Sequence, residues 1–366
     1  CVGINWTVGE WMISTTLLKL HGKPGEKTYS EVTMVTIKQV SEKAGVSSAT
    51  VSRVINDTGT VKQKTRELVM QAMAELGYRH NVVAASLASN KTHTIGYVVP
   101  ELHGSFFGAM MGGTEQALRQ AKKHMLIATG HSDAQIEKEQ IDALLSRRCD
   151  ALILHVEAVS DEYLVSLVHQ GVDLVVVNRF IEEIGDNCIS LDNVKGGYLA
   201  TRHLLDIGHT QIAYIAGSLF KADGKNRLTG HQQALADMGV EYTDNLTYEG
   251  NFQAKSGTEG IRALVARGAK FTAVACANDE MASGAMIALR ELGRRMPEDV
   301  SVIGFDNVDF ASYLSPGLTT IDYPVQKIGS MAAHWVLERV YGHSHHEYQH
   351  ILSPRLILRG STSSPE

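Results

Sequence analysis

The hydrophobic pattern divides the chain into two parts. From Met34 to about Leu76, apolar residues recur at helical spacing in short segments. From His93 onward, short apolar runs alternate with helical stretches, at 95–99, 125–129, 151–155, 172–178, 212–216, 273–277 and 300–305. Continuous apolar strands separated by helices indicate parallel sheets that are buried on both faces. We therefore predict an α/β body of two doubly wound subdomains, with ligands at the carboxyl ends of the strands.

The first part predicts two short helices joined by a tight turn. Thr36 and Gln39 have the spacing of a capping box, in which each side chain bonds the other residue's backbone. The helix ends at Gly45, whose left-handed conformation suits a turn, and Ser47 follows as the cap of a second helix. Small and polar side chains face outward on this second helix: Ser48, Ala49, Ser52, Arg53 and Asn56. Such a pair of helices fits a helix-turn-helix.

A third helix is predicted from about residue 63 to residue 76, before Gly77. Lys64, Thr65 and Arg66 at its start are placed to clamp phosphates, which would orient the module without reading a base sequence. On the second helix, Arg53 can make a bidentate contact with guanine O6 and N7 in the major groove. The alternative is three amphipathic helices with a solvated polar face.

The charge distribution favours nucleic acid as the partner of the first part. Residues 34–93 carry a net charge of +4, whereas residues 94–366 carry −10, within a total of −6. A basic module attached to an acidic body is typical of a nucleic-acid-binding protein with a second function. No apolar run approaches the roughly 20 residues that span a bilayer. The four cysteines are scattered, as in reduced, cytoplasmic proteins: Cys1, Cys149, Cys188 and Cys276.

The run TIKQVSEKAGVSSATVSRVIND resembles the DNA-binding headpiece of the lactose/galactose repressor family. The resemblance continues through ISLDN, ATRHLLDIGHTQIAYIAG and VSVIGFDNVDFASYLSPGLTTIDYPV, and it covers residues 34–361. FFGAMM, VVNR, RCDALILHVEA and FTAVACAND resemble in particular the subgroup around the galactose repressor and isorepressor. The family implies a three-helix headpiece, a hinge helix and a periplasmic-binding-protein-like effector domain. It implies a repressor that binds a palindromic operator as a homodimer and is released by a small sugar such as galactose.

For the headpiece, the resemblance implies that Ser48 and Ala49 touch base edges and that Arg53 supplies the guanine contact. It implies phosphate contacts from Ser47, Thr50, Ser52 and Asn56. Residues 82–89 correspond to the hinge helix, with Leu87 as an apolar wedge between base steps in the minor groove. Two residues depart from the family: His80 replaces the usual proline before the hinge, and Lys62 replaces a serine cap at the third helix.

In the body, polar residues follow two of the predicted strands. Asn278 ends one strand and Asp306 follows another, at the positions where ligands collect. Carboxylates and amides together with an arginine and aromatic faces suit the hydroxyls of a sugar. The resemblance implies that Asp306 accepts from two sugar hydroxyls and that the remaining contacts come from Asn278, Arg227, Asn178, Phe106 and Phe252. Phe107 and Arg179 are weaker candidates, and Asp279 is expected to cap the following helix.

Other interpretations of the body stay open at this point. Asp306 could be a helix cap and Phe106 plain core, and the body alone would fit a sugar-binding protein of a transport system. A nucleotide-dependent sugar-modifying enzyme is disfavoured, because the sequence has no GxGxxG after the first strand, no GxxxxGK[ST], no GxSxG and no HExxH. We expect neither enzyme activity nor a cofactor. The histidines of the 342–350 patch predict a solvated loop and no metal site: His343, His345, His346 and His350.

The pattern also predicts domain boundaries. We expect residues 1–33 to be an extension that is not native or is disordered. We expect the headpiece at 34–78, the hinge at 79–92, and the effector and dimerisation domain at 93–366. Subdomain 1 is expected at about 93–192 plus 325–342, and subdomain 2 at about 193–324 plus the C-terminal strand. No leucine heptad follows the last strand, so we expect a dimer rather than a zipper-linked tetramer.

Overall fold

The computed structural model describes residues 16–20, 29–33, 35–55, 58–78, 90–344 and 348–365. The chain forms two compact units, Cys1–Asn90 and Lys91–Glu366. Asn56, His80, Leu87 and two of the patch histidines, His345 and His346, lie outside the described residues.

The first unit contains a hairpin and three helices. The strands β1 (Thr16–Leu20) and β2 (Tyr29–Thr33) pair antiparallel, in a segment where the sequence pattern predicted no strand. The helices are α1 (Ile37–Ala44), α2 (Ser48–Ile55) and α3 (Gln63–Leu76). Their shared core consists of Val40, Val51, Val54, Val69 and Ala72.

The helix ends follow the predicted capping. Thr36 and Gln39 form both bonds of the capping box, and Gly45 closes α1 at φ +67°. The Ser47 hydroxyl accepts a 3.2 Å hydrogen bond from the Thr50 N–H, as expected for the cap of α2. Lys62 precedes α3 and makes no capping bond with its side chain, which agrees with the loss of a serine cap there.

The first lobe of the second unit is built on a parallel sheet in the order β13-β7-β6-β5-β3-β4. Its strands are β3 (Thr94–Val99), β4 (His124–Thr129), β5 (Ala151–Leu154), β6 (Leu174–Val177), β7 (Cys188–Leu191) and β13 (Ile351–Leu352). Its helices are α4 (Ser105–Gln120), α5 (Ala134–Ser146), α6 (Asp161–His169) and α11 (Val325–Tyr341). The α11 helix packs on α4 and on β5, β6 and β7, so the chain returns to this lobe near its end.

The second lobe is built on a parallel sheet in the order β11-β10-β8-β9. Its strands are β8 (Ile212–Ala216), β9 (Thr247–Glu249), β10 (Ala273–Cys276) and β11 (Ser301–Ile303). Its helices are α7 (Asn193–Asp206), α8 (Ala222–Asp237), α9 (Ala254–Ala266) and α10 (Asp279–Glu291). A small antiparallel pair, β12 (Thr320–Asp322) with β14 (Arg355–Ile357), lies beside it.

The seven strands predicted from apolar runs are all present, with ends that differ by at most two residues. The expected C-terminal strand is present as β14, and four further strands of the second unit were not predicted: β7, β9, β12 and β13. The chain passes between the lobes at residues 191–193, 322–325 and 352–355. These short connections place the carboxyl ends of both sheets on either side of one cleft. Among the described residues, no helix is long and apolar enough to cross a membrane.

Glycines set how closely the helices approach. In the first lobe, a Cβ at Gly113 on α4 would lie 2.1 Å from the carbonyl oxygen of Gln326, and one at Gly329 on α11 would lie 2.0 Å from that of Met110. The backbones of the two helices therefore touch, which only glycine permits at these positions.

We expect Gly113→Ala to lower the free energy of unfolding by about 1–3 kcal/mol, because the added methyl forces α4 and α11 apart. The neighbouring Gly112 is the matched control, since nothing lies within 4 Å of its added Cβ. Gly112→Ala should be neutral or slightly stabilising, because alanine favours a helix more than glycine does. Urea unfolding of both variants measures this difference, and equal losses would contradict the close-contact explanation.

Candidate functional site

One cavity of about 350 Å³ lies in the cleft between the lobes. It is formed by segments that follow the carboxyl ends of strands in both sheets, as expected for open α/β folds. The six residues predicted to contact an effector all line it: Phe106, Asn178, Arg227, Phe252, Asn278 and Asp306. Phe107 also lines it. The sequence-based selection therefore converges on a single place in the structure.

Arg227 on α8 is the central charge of this cavity. Its side chain is only 2% exposed, and its Nη1 lies 3.2 Å from Oδ1 of Asp306. The same guanidinium donates from Nε to Oδ1 of Asn193 at 2.9 Å and from Nη1 to the Ala277 carbonyl at 2.5 Å. It also stacks over the Phe305 ring, 3.7 Å from the centroid. The buried cation is thus satisfied from several sides, as a charge removed from water requires.

Asp306 pairs with Arg227 and does not cap a helix, so the helix-cap interpretation of this carboxylate is wrong. Burial raises the pKa of Asp306 to about 7, against the opposing effect of the Arg227 guanidinium. The nearby carboxylates of Asp223 and Glu280 act in the same direction as burial. A carboxyl group with a pKa near neutrality in a cleft is a candidate for ligand binding.

Three of the six cavity residues have positive φ angles: Asn178 at 62°, Phe252 at 70° and Asp306 at 108°. Non-glycine residues rarely adopt this region, and each such residue costs roughly 1–3 kcal/mol. Strain of this kind persists where the surrounding structure fixes a side chain for function. The surrounding structure therefore fixes the backbone at these three residues of the cavity.

Asn178 belongs to a polar network that the sequence did not predict. Its Oδ1 accepts a short hydrogen bond of 2.5 Å from the Tyr323 hydroxyl, and its Nδ2 lies 3.2 Å from Nε2 of His155. His155 follows β5, is buried, and has no hydrogen-bond partner at Nδ1. Burial lowers the pKa of His155, so its imidazole is neutral at physiological pH. Its position directly after an apolar strand is the signal that could have identified it.

Aromatic rings form the apolar part of the cavity. Phe106 makes edge contacts with Phe107 and Tyr323 at 5.4 and 5.2 Å between centroids. Phe106 is only half-buried, so the plain-core interpretation does not describe it. The Phe252 ring packs directly on Gly217, where a Cβ would lie 2.0 Å from it. The rings provide flat faces against which the C–H faces of a sugar can pack.

Two expectations need correction. Asp279 does not cap α10. Asn278 is the cap, accepting from the Met281 N–H at 2.9 Å, and its Nδ2 donates to the Phe252 carbonyl. Asp279 is instead buried in the first turn, where it accepts from the Val308 N–H and the Thr320 hydroxyl. Arg179, a weaker candidate, does not line this cavity. It lines a neighbouring cavity, where it bonds the Val159 carbonyl and pairs with Asp161.

The predicted DNA-reading face lies in the first unit. Ser48, Ala49 and Arg53 are exposed on α2, whereas Val51 and Val54 on the opposite face are buried. Ser47 is exposed, and the remaining described candidates are half-buried: Thr50, Ser52 and Thr65. The described part of this face is therefore open to a partner, with a buried stripe beneath it.

We expect Arg227→Met to lower the free energy of unfolding by about 3–5 kcal/mol, because the buried Asp306 carboxyl group loses its partner and must stay charged without compensation or take up a proton. Asp306→Asn, added to that variant, should restore about 1 kcal/mol or more by removing the uncompensated charge. Urea unfolding at pH 8 of the two single variants and the double variant measures this coupling. Strictly additive losses would show that the pair does not act as a unit.

The sequence and the fold match known proteins over most of the chain. Residues 36–81 match the family profile of bacterial regulatory proteins, lacI family, and residues 201–362 match the periplasmic binding protein-like domain. The HTH-type transcriptional regulator GalR of Salmonella typhimurium (strain LT2) is 40% identical over 332 residues, which are 91% of this chain and 97% of that protein.

Solved structures agree with this relationship. The lac repressor dimer bound to operator and the anti-inducer ONPF has a TM-score of 0.80 and 30% identity, covering 90% of this chain and 99% of that one. A LacI family transcriptional regulator from Enterococcus faecium with bound ribose has a TM-score of 0.66 and 30% identity, covering 74% and 99%. The chain belongs to the lacI family of bacterial regulatory proteins, and it is a DNA-binding transcriptional regulator rather than an enzyme.

Proposed function

We propose that this protein is a cytoplasmic, homodimeric repressor that binds a near-palindromic operator and is released by a small sugar, with galactose as the first candidate. The observation that carries the proposal is the cavity at the strand ends, which combines the buried Arg227–Asp306 pair with amides and aromatic rings. Galactose rests on the resemblance to the galactose repressor subgroup and on the 40% identity to GalR. The ribose-bound relative supports a monosaccharide as the effector.

Each polar group of the cavity has a role in this proposal. Asp306 accepts from two sugar hydroxyls, because an ionised carboxylate is the strongest acceptor available there. Arg227 and Asn178 bind hydroxyls from opposite lobes, while Phe106 and Phe252 pack on the ring. Asn278 already uses its amide to cap α10 and to bond the Phe252 carbonyl, so it contributes mainly by holding Phe252 in place.

The charges of the cavity favour an uncharged sugar over a phosphorylated one. Arg227 is paired with Asp306, and Lys221 is paired with Glu157 at 2.7 Å. Two further carboxylates line the same space, Asp223 and Glu280, and His103 lies beside Glu101 at 2.6 Å. A phosphate would therefore meet an excess of negative charge, which opposes its burial.

The headpiece gives the DNA-binding half of the proposal. The exposed face of α2 enters the major groove, where Ser48 and Ala49 touch base edges and Arg53 contacts guanine. Phosphate contacts come from Ser47, Thr50, Ser52, Asn56 and Thr65, and Leu87 of the hinge wedges into the minor groove. The net charge of +4 over residues 34–93 predicts that operator affinity falls steeply with salt.

The decisive experiment is fluorescence anisotropy of a labelled, near-palindromic family operator with the full-length protein, titrated with D-galactose and then with other sugars. We expect a Kd of about 10⁻⁸ M or tighter for the operator. One sugar should release it, because the effector must disfavour the DNA-bound state by a few kcal/mol.

Two variants separate the two halves of the function. Arg53→Ala should weaken operator binding by about 1–3 kcal/mol and leave sugar affinity unchanged. Asp306→Asn should keep operator binding and lose release by the sugar. Tight operator binding that no sugar alters would remove the proposed effector, whereas sugar binding without operator binding would favour the transport-protein alternative.

Effector affinity should also depend on pH. Because the pKa of Asp306 is raised to about 7, the carboxyl group is mostly protonated at pH 6 and mostly ionised at pH 8. The ionised form is the stronger acceptor for two hydroxyls, so affinity should rise by up to about tenfold between these pH values. Burial and the carboxylates of Asp223 and Glu280 keep the pKa of Asp306 high, while Arg227 lowers it. Isothermal titration calorimetry measures the profile, and a flat profile would show that Asp306 is not the titrating acceptor.

A further inference from the structure

A second cavity of about 620 Å³ adjoins the first. Its own lining comes from the end of β6, the β7–α7 connection and the start of α8, and it includes Arg179, Phe180, Asn193 and Phe220. Five residues line both cavities: His155, Glu157, Asn178, Lys221 and Asp223. These shared residues, which we call the wall, lie at the boundary between the two spaces.

An ion pair lies within this wall. The Nζ of Lys221 is 2.7 Å from Oε2 of Glu157, and the side chains are 17% and 10% exposed. Glu157 follows β5 of the first lobe, whereas Lys221 immediately precedes α8 of the second lobe. The pair therefore crosses the cleft from one lobe to the other.

The Glu157 side of the wall is held rigidly. The carboxylate of Glu137, on α5, is fully buried and accepts four hydrogen bonds of 2.8–3.2 Å from the backbone N–H groups of residues 157, 158 and 159. The Ser132 hydroxyl donates to the Glu157 carboxylate as well. A carboxylate bonded in this way fixes the backbone that carries Glu157, so the wall does not swing aside easily.

The Lys221 side is also fixed. Its Nζ lies 5.7 Å from the centroid of the Phe252 ring, which itself packs on Gly217. Lys221 is joined directly to α8, the helix that carries the buried Arg227. These contacts place the ammonium between the two cavities.

We propose that the Glu157–Lys221 ion pair partitions the cleft and so limits the effector to a single sugar ring. This inference rests on the proposed function and names the size class of its ligand. A disaccharide whose first ring occupied the 350 Å³ cavity and whose second ring extended toward the second cavity would have to displace the pair, and separating a nearly buried ion pair is costly. Specificity by exclusion of larger ligands follows from this steric and electrostatic wall.

Beyond the wall, the second cavity offers room and aromatic surface for a second ring. Phe180 and Phe220 at its rim are 43% and 63% exposed. Aromatic faces of this kind pack against sugar rings. Removal of the wall should therefore join the cavities and convert a monosaccharide site into one that accepts a disaccharide.

The test compares two double variants that differ in side-chain volume. E157A/K221A removes both side chains, whereas E157Q/K221M removes the charges and keeps most of the bulk. Isothermal titration calorimetry measures the affinity of each variant and of the wild type for D-galactose and for lactose, which carries galactose at its non-reducing end. If another sugar releases the operator, that sugar and a disaccharide ending in it replace this pair of ligands.

We expect E157A/K221A to raise the ratio of disaccharide to monosaccharide affinity about tenfold or more over the wild type, since a filled pocket rejects excess volume by such factors. E157Q/K221M, which loses the ion pair but keeps most of the side-chain volume, should raise the ratio less than E157A/K221A does. An unchanged ratio in E157A/K221A, or the same increase in both variants, would overturn the partition. Thermal unfolding measures whether the variants fold. If the alanine variant does not fold, E157S/K221S replaces it, because its hydroxyls can bond water in the enlarged space.

The outcomes also separate this inference from the function on which it rests. A wild-type protein that binds the monosaccharide but shows no change of ratio in the alanine and serine variants contradicts the partition alone. A wild-type protein that binds no sugar, and whose operator complex no sugar alters, contradicts the proposed function and the partition together.

Discussion

The buried guanidinium of Arg227 is the interaction on which the effector body depends. A charge that is 2% exposed has to be compensated inside the protein, and here the compensation comes from Asn193 on α7, the Ala277 carbonyl after β10 and Asp306 after β11. These partners tie two helices to the ends of two strands. A buried charge so placed costs stability unless all its partners are present, so it fixes one arrangement of the cavity.

The packing of α7 against α8 also fixes the position of Arg227. A Cβ at Gly197 on α7 would lie 2.1 Å from the carbonyl oxygen of Arg227, and one at Gly230 on α8 would lie 2.0 Å from that of Val194. The backbones of α7 and α8 thus touch at the residue that carries the central charge. Because α7 begins directly after the first crossing between the lobes, this contact sets where Arg227 stands relative to the cleft. The constraint is steric and is carried by glycines, which have no polar chemistry of their own.

Much of this arrangement was predictable from sequence, for identifiable reasons. Long apolar runs gave seven strands, and the position of Asn278 and Asp306 after two of them indicated the cavity. Strands of two or three residues that lie outside the apolar runs, such as β9 and β13, carry too little pattern and form because neighbouring strands are in place. Glu157 and Lys221 are ordinary charged residues in sequence, and only the fold brings them together.

The wrong prediction for Asp279 shows that local sequence patterns do not decide which residue caps a helix. Asn278 and Asp279 are both good cap residues, and the cap falls to the one with extended backbone, Asn278 at φ −153°. Asp279 then turns inward to Thr320 and Val308, which are distant in sequence. Burial, together with the charge of Asp306, raises the pKa of Asp279 well above its usual range. A local pattern can identify both residues as caps, but the tertiary partners decide which of them takes that role.

Under the proposed function, the lobes are joined both by direct side-chain contacts and by a bound sugar. Only the sugar contacts depend on the effector, which explains how a sugar can act as a signal. The Glu157–Lys221 pair bridges the cleft, and Asn178 of the first lobe bonds Tyr323. A ligand changes the balance between two states only by the free energy with which it prefers one of them. A sugar held by Asn178 on one side and by Arg227 and Asp306 on the other adds such a preference for the closed cleft. The ion pair stabilises the closed cleft equally with and without sugar. It therefore sets the equilibrium between the open and the closed cleft before the sugar binds, and the sugar shifts that equilibrium.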